Sequence, residues 1–146
     1  DANGTITFEL PRTVDGTRLE TVALTIKDNE VVDYAADQGE ETLRELLETD
    51  DGAGRIGELG IGMNRGIDQV TDRILFDEKM AETIHLAIGR AYDACLPDGE
   101  TGTESAIHMD LLADMRTDSC LSVDGEVIQR NGTFRWEDGF TKEPTD

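Results

Sequence analysis

The sequence predicts a single domain of the α+β class, built mainly from mixed or antiparallel β-strands with a few short helices. Its 146 residues are the length of one domain with a sizeable core. Several short segments alternate apolar and polar residues as half-buried strands do, and one stretch, 37–48, has leucines at helical spacing. Neither an internal repeat nor a linker divides the chain. We therefore expect one domain over residues 1–136, followed by a flexible tail over 137–146.

The first half of the chain predicts three strands followed by one helix. Alternation and β-forming residues place the strands, Pro11 ends the first, and the turn residues 27–30 join the other two as a hairpin. Acidic residues gather at the start of the helical stretch, where the helix dipole favours them. The predicted elements are strands at 5–10, 19–26 and 31–35 and a helix at 37–48.

The second half predicts further strands joined by polar loops. The strand at 56–62 has glycine at every second or third position, which weakens a strand unless a neighbouring group must approach it closely. Asp124-Gly125 is a strong hairpin signal, and Asn131-Gly132-Thr133 is interpreted as a hairpin turn in preference to a glycosylation site. We expect a short turn or helix at 75–80, strands at 83–89 and 105–111, a mobile loop at 90–103 and a hairpin within 121–128.

The charge balance restricts the partners that this chain can have. Its 33 acidic residues against 13 basic ones give a formal net charge of −20, which argues against nucleic acid because phosphates would be repelled. No apolar run approaches the ~20 residues of a membrane-spanning helix, so no membrane partner is expected. The abundant acids, with few lysines among the basic residues, resemble proteins from salt-loving organisms. We interpret the acidity as a halophilic solvent adaptation, since salt screens self-repulsion.

The two cysteines give little sign of a disulfide or of a zinc motif. Cys95 and Cys120 do not belong to a short cysteine pair. They could form a disulfide if folding made them neighbours, but no other feature indicates an oxidising compartment, and we expect no secretory leader. Free thiols and a cytoplasmic location are therefore expected.

The only two histidines carry the strongest chemical signal. Both lie in alternating segments, so His85 shares a strand face with Ala87, and His108 shares one with Asp110. Residues two apart on a strand are separated by ~6.5–7 Å, a span over which a histidine and an aspartate can converge on one ion. Glu58, beside glycines on its own strand, adds a carboxylate. Such imidazole and carboxylate ligands suit zinc, cobalt or manganese.

These residues alone leave a second interpretation open. A histidine on a strand is usually packed or solvent-facing, and Glu58 is one of 33 acidic residues. Without further information, a non-catalytic structural or dimerisation domain is the stronger interpretation, and the alternating residues 121–134 could supply its interface.

Four ordered motifs favour the metal site. They are GELGIGMN at 57–64, LFDEKM at 75–80, IHLAIGRAY at 84–92 and IHMDL at 107–111. In order and spacing they resemble the thermophilic aminopeptidases, the metallo-aminopeptidases of the aminopeptidase T type, and the flanks at 31–43 and 123–126 agree. The resemblance covers nearly the whole chain, and it implies that residues 1–136 are the metal-binding catalytic part of such an enzyme.

The resemblance also implies a ligand set and a reaction. By position, the family's metal ligands fall on Glu58, His85, Tyr92, His108 and Asp110. Tyr92 comes from the resemblance only, since from the residues alone it would be a packed ring with a solvated hydroxyl, although a phenolate beside two cations is chemically reasonable. The implied enzyme is a homodimer that removes N-terminal amino acids from peptide substrates. Two divalent ions would activate water, polarise the scissile carbonyl and anchor the free amine.

The sequence departs from the family's pattern at its beginning. The family has a further glutamate ligand, in a Glu-x-Phe-Thr-like motif, and an N-terminal α/β domain before the segment that begins here. We therefore expect a weakly held second ion and impaired activity for this chain. The general base is left open between a ligand carboxylate, the additional glutamate and metal hydroxide.

Overall fold

Strands dominate the computed structural model, which describes residues 2–142 and confirms the predicted α+β class. All pairings between the named strands are antiparallel. The elements in chain order are β1 (Gly4–Phe8), β2 (Arg12–Val14), β3 (Thr17–Lys27), β4 (Glu30–Gln38), α1 (Glu40–Leu47), β5 (Ile56–Ile61), α2 (Ile74–Asp77), β6 (Thr83–Gly89), a 3₁₀ turn (Asp93–Cys95), β7 (His108–Asp114), β8 (Cys120–Val123), β9 (Glu126–Arg130) and β10 (Thr133–Phe134).

The first sheet is organised around the long strand β3, which pairs with β1, β2 and β4. The predicted hairpin between β3 and β4 is confirmed, and its turn residues Asp28 and Asn29 have positive φ, as tight hairpin turns require. The predicted helix is also confirmed as α1, which begins after Gly39 and buries Leu43.

The second sheet has the order β5-β6-β7. One of its faces packs on the core, and the opposite face carries polar residues of β6 and β7, the two strands that contain the histidines. As the alternation predicts, Leu86 and Ile88 point into the core while His85 lies on the opposite face. Each large apolar side chain buried in this way contributes roughly 1.5–3 kcal/mol. The core lies between the first sheet, the second sheet and α1. Its buried residues are Phe8, Leu19, Val22, Leu24, Ile26, Leu43, Leu86, Ile88, Met109, Leu111 and Ala113.

One hairpin was not expected from the sequence. Arg12–Val14 forms β2 and pairs with Leu19, Arg18 and Thr17 of β3. Its turn, Asp15-Gly16, has φ values of 49° and 82° and is the same Asp-Gly signal that predicts the later hairpin. Because β2 has only three residues, directly after a proline, it is too short to show the alternation of apolar and polar residues that predicts a strand.

The third sheet, β8-β9-β10, confirms both predicted hairpin turns near the end of the chain. Asp124 and Gly125 have φ values of 51° and 81°, and Asn131 and Gly132 have φ values of 46° and 76°. Positive φ at both central residues matches the twist of the flanking strands, which is why these dipeptides favour such turns.

The predicted tail at 137–146 lies partly outside the described residues, which end at 142. Within the described part, Glu137 accepts hydrogen bonds from Arg65 at 2.5 and 2.7 Å. Flexibility of the tail and mobility of the 90–103 loop stay predictions. None of the helices formed by residues 2–142 has the length and apolarity that crossing a bilayer would take.

Candidate metal centre

The face of the second sheet opposite the core brings three of the predicted ligands together. The register places Ala87 of β6 opposite both Glu58 of β5 and Asp110 of β7, so the two carboxylates flank the central strand. His85 lies two residues before Ala87 on the same face of β6. One ligand atom from each of Glu58, His85 and Asp110 lies within 4.8 Å of the other two. Each strand therefore contributes one group to a cluster of the size that a single cation bridges.

A glycine makes this approach possible. Gly60 is paired with His85 across the β5-β6 ladder. A Cβ atom at position 60 would lie 2.0 Å from Cε1 and 2.1 Å from Nε2 of the imidazole, far inside van der Waals contact. The ring therefore covers the glycine backbone. The sequence indicated a close approach at this glycine-rich strand, and the imidazole is the group that makes it.

Burial leaves two atoms of the cluster without hydrogen bonds. His85 and Asp110 are only 6% and 5% exposed. His85 Nε2 lies 3.2 Å from Glu58 Oε1, but His85 Nδ1 and Asp110 Oδ1 are buried and have no hydrogen-bond partner. Desolvation raises the pKa of Asp110, and the nearby charges of His108 and His85 act in the opposite direction. An unpaired buried carboxylate is costly, and a cation would offset that cost.

His108 lies beside this cluster with one ring nitrogen already occupied. Its Nδ1 lies 2.7 Å from the carbonyl oxygen of Arg90, so Nδ1–H donates and Nε2 keeps its lone pair. Nε2 lies 3.5 Å from Asp110 Oδ1, although not in hydrogen-bonding geometry. A backbone carbonyl that fixes the tautomer in this way is the usual partner of a metal-binding histidine.

Tyr92 lies at the rim of the cluster, three residues beyond the end of β6. Its ring contacts the His108 ring with the centroids 4.4 Å apart and the planes tilted by 40°. The side chain remains 48% exposed. The structure thus places Tyr92 next to the second histidine, in a position that its spacing along the chain could not reveal.

Two open clefts meet at the cluster. One of about 560 Å³ is lined by Glu58, Gly60, Ile61, Met63, Asn64, Glu78, Lys79 and His85. The other, of about 450 Å³, is lined by Arg12, Glu58, Ile74, Leu75, Glu78, Tyr92, Ala94, Cys95, His108 and Asp110. Glu58 and Glu78 line both clefts.

The sequence reasoning missed two residues of these clefts. Glu78 lies in the motif at 75–80 that carried the resemblance, and its charge adds to the raised pKa of Asp110, which burial mainly causes. Cys95 lies in the 90–103 segment, and its Sγ is 3.7 Å from Glu58 Oε2. Desolvation, followed by the charge of Glu58, raises the pKa of this thiol. Nothing in the local pattern around Cys95 indicates this contact, because it joins residues 37 positions apart.

Residues 1–134 match the thermophilic metalloprotease (M29) family. The chain belongs to this family. Among M29 relatives, aminopeptidase 2 of Geobacillus stearothermophilus is 35% identical over 154 residues, which cover 92% of this chain and 37% of that protein. Aminopeptidase T of Thermus thermophilus is 33% identical over 117 residues, which cover 73% of this chain and 29% of that protein. The solved structure of wild-type AmpT from Thermus thermophilus superposes with a TM-score of 0.75 at 28% identity, over 91% of this chain and 36% of AmpT.

The M29 membership confirms the family resemblance found in the motifs. The chain spans little more than a third of the length of the first two relatives and of the AmpT structure. The donor set fits the divalent metal that a metalloprotease family implies, since carboxylate and imidazole atoms converge and the buried Asp110 Oδ1 has no hydrogen-bond partner. Both cysteines are free, as the sequence predicts.

Proposed function

We propose that this chain is the metal-binding part of an aminopeptidase that releases N-terminal amino acids from peptides with two divalent metal ions, zinc, cobalt or manganese. One observation carries the proposal: Glu58, His85 and Asp110 converge from three strands, while Asp110 Oδ1 is buried without a hydrogen-bond partner. A purely structural site would give this oxygen a hydrogen bond within the protein. A metal centre leaves it for an ion.

We assign the five family-implied ligands to two neighbouring positions. Glu58, His85 and Asp110 would hold the first ion, and His108 and Tyr92, beside Asp110, would contribute to the second. Asp110 would be shared, because it belongs to the first cluster and its Oδ1 lies 3.5 Å from His108 Nε2. At the second position Tyr92 is 48% exposed, so this chain should hold the second ion more weakly than the first and hydrolyse peptides with low efficiency.

When bound, the ions would supply Lewis acidity for the attacking water and for the scissile carbonyl. The protein's own groups would orient the reaction. Gly60 lets His85 approach Glu58, and the Arg90 carbonyl fixes the His108 tautomer. Glu78 lines both clefts, and we assign it the role of proton acceptor because it is an acid of the clefts outside the ligand set.

The larger cleft suits the N-terminal end of a peptide. Ile61 and Met63 give it an apolar wall for a side chain, while Glu58 and Glu78 offer negative charge for an α-ammonium group. Peptides with an apolar first residue are therefore the proposed substrates.

Metal content tests this function directly. The chain would be dialysed against zinc or cobalt and compared with a His85→Ala, His108→Ala double variant, with circular dichroism to check folding. Bound metal that disappears in the double variant supports the site, and equal near-zero metal in both contradicts it for this chain. Glu126→Ala removes an exposed carboxylate that pairs with Arg135, and it should retain the metal of the wild type. This control separates the site from unspecific binding to an acidic surface.

A non-catalytic dimerisation domain is the alternative function. It is favoured by the edge strand β5, which exposes Leu59 and Ile61 at 59% and 38%. Histidine substitution would then change stability without changing metal content. A homodimer is also proposed for the enzyme, and sedimentation of the metal-loaded chain tests it. A cytoplasmic location and a halophilic host remain proposals, supported by the free thiols and the net charge of −20.

A further inference from the structure

Cys95 occupies an unexpected position for a surface thiol. It ends the 3₁₀ turn Asp93–Cys95, and its Sγ lies 3.7 Å from Glu58 Oε2. The other oxygen of the same carboxylate, Oε1, lies 3.2 Å from His85 Nε2. Glu58 therefore lies between an imidazole and a thiol, with one carboxylate oxygen facing each.

Each of these two distances is close to the separation of two ligands on a tetrahedral ion, and each involves a different oxygen of Glu58. Zinc binds oxygen and nitrogen at ~2.0–2.1 Å and thiolate sulfur at ~2.3 Å, so tetrahedral angles separate oxygen from sulfur by ~3.5 Å and oxygen from nitrogen by ~3.3 Å. The observed separations are 3.7 Å and 3.2 Å. Cys95 lies outside the convergent group of Glu58, His85 and Asp110, so its side chain would turn towards the ion when the metal binds.

A second observation points to a ligand in the same cleft. Asp110 is 95% buried, being 5% exposed, and its Oδ1 has no hydrogen-bond partner. It lines the same cleft of about 450 Å³ as Cys95 and Glu58. A cation at this place would contact an unpaired carboxylate oxygen and a nearby sulfur together.

We propose that Cys95 is a further ligand of this metal centre and makes it selective for thiophilic divalent ions, zinc or cobalt, over manganese. The inference rests on the proposed metal site and concerns its selectivity. When the metal–sulfur bond forms, the thiol proton leaves to solvent by way of Glu58 Oε2, its present partner, so no oxidant or reductant is involved. Soft sulfur favours zinc and cobalt, whereas an all-oxygen and imidazole site also accepts manganese.

Cys120 provides a matched control in the same chain. It is also free and exposed, but it lies at the start of β8 in the third sheet, and its Sγ contacts Ser122 Oγ at 3.7 Å. Cys120→Ala therefore removes a comparable thiol that the proposed site does not use.

The experiment is the absorption spectrum of the cobalt-loaded chain and of its Cys95→Ala and Cys120→Ala variants. Cobalt bound to a thiolate gives a near-ultraviolet charge-transfer band, while the visible d–d bands report bound cobalt regardless of sulfur. We expect the charge-transfer band in the wild type and in Cys120→Ala and its loss in Cys95→Ala with the d–d bands retained. Loss of a residue that only hydrogen-bonds to a metal ligand already lowers metal affinity by ~10–100-fold. Cys95→Ala should therefore weaken zinc binding at least tenfold and leave manganese binding unchanged.

The outcomes separate this inference from the function on which it rests. Visible d–d bands that require His85 but come without a charge-transfer band would overturn the role of Cys95 and leave the metal centre intact. A charge-transfer band that survives in Cys95→Ala would overturn it as well. Absence of all cobalt bands in the wild type would overturn both the metal centre and the thiol ligand.

Discussion

Asp110→Asn should stabilise the chain without metal and destabilise it with metal, relative to the wild type in the same buffer. Asp110 is 5% exposed and its Oδ1 has no partner, so folding removes this carboxylate from water without full compensation. An unpaired buried polar group costs about 1–3 kcal/mol, and more when it is charged. Asparagine is nearly isosteric and uncharged, but its amide is still a buried polar group, so the substitution removes only the part of the cost that is due to the charge. We therefore expect the free energy of unfolding in chelator to rise by about 1 kcal/mol.

The pH dependence of this gain follows from the direction of the pKa shift. Burial raises the pKa of Asp110 above its ordinary 3.8, against the opposing effect of His108 and His85. A carboxyl whose pKa is raised on folding destabilises the protein once the pH exceeds its unfolded value, and fully so above its folded value. The advantage of asparagine should accordingly grow as the pH rises above 3.8 and vanish below it.

Metal should reverse the order of stabilities. At a metal concentration of 100 Kd the wild type gains about 2.7 kcal/mol, and a variant that cannot bind gains nothing. Urea unfolding followed by circular dichroism, in EDTA and in zinc, measures both differences.

Asp77→Asn is the matched control, because Asp77 is 3% exposed but accepts hydrogen bonds from the Thr71 amide and hydroxyl at 2.9 and 2.7 Å. Asp77→Asn should lower the free energy of unfolding both in EDTA and in zinc. Equal or lower stability of Asp110→Asn in EDTA would refute the reasoning, since the carboxylate would then be compensated within the protein.

Three further predictions test the site and the solvent adaptation. Gly60→Ala should abolish metal binding, because its Cβ would lie 2.0 Å from the His85 ring, whereas Gly54→Ala, whose Cβ meets only a carbonyl at 3.8 Å, should bind normally in the same dialysis assay. Glu78→Gln should lower kcat for aminoacyl anilides by about 10²–10⁴-fold at unchanged metal content if Glu78 accepts the proton. A parallel loss of metal would make it a ligand instead. Raising salt from 0.1 to 1 M shortens the Debye length from about 10 to 3 Å and should raise the urea midpoint. A fall would mean that surface ion pairs outweigh the repulsion among charges that sum to −20.

The sequence predicted most of what alternation and turn chemistry control. The inward side chains of β6, the Asp124-Gly125 turn and the helix at α1 follow from local patterns alone. The convergence of Glu58, His85 and Asp110 depends on strand register, which the alternation leaves undetermined between neighbouring strands. The family resemblance was what grouped these three residues as ligands of one site. Cys95 was missed because its neighbour lies on a strand 37 residues away.

Ala87 has a consequence for how the centre chooses its ions. Its row of the sheet sets Glu58 and Asp110 two strand spacings apart, roughly 9.6 Å between backbones, while one ligand atom of each lies within 4.8 Å of the other. The width available to an ion is therefore fixed by the hydrogen-bond ladder, which forms when the protein folds, more than by side-chain choice. The spacing of the ligands is thus set before an ion binds, and the site resists widening around a larger ion.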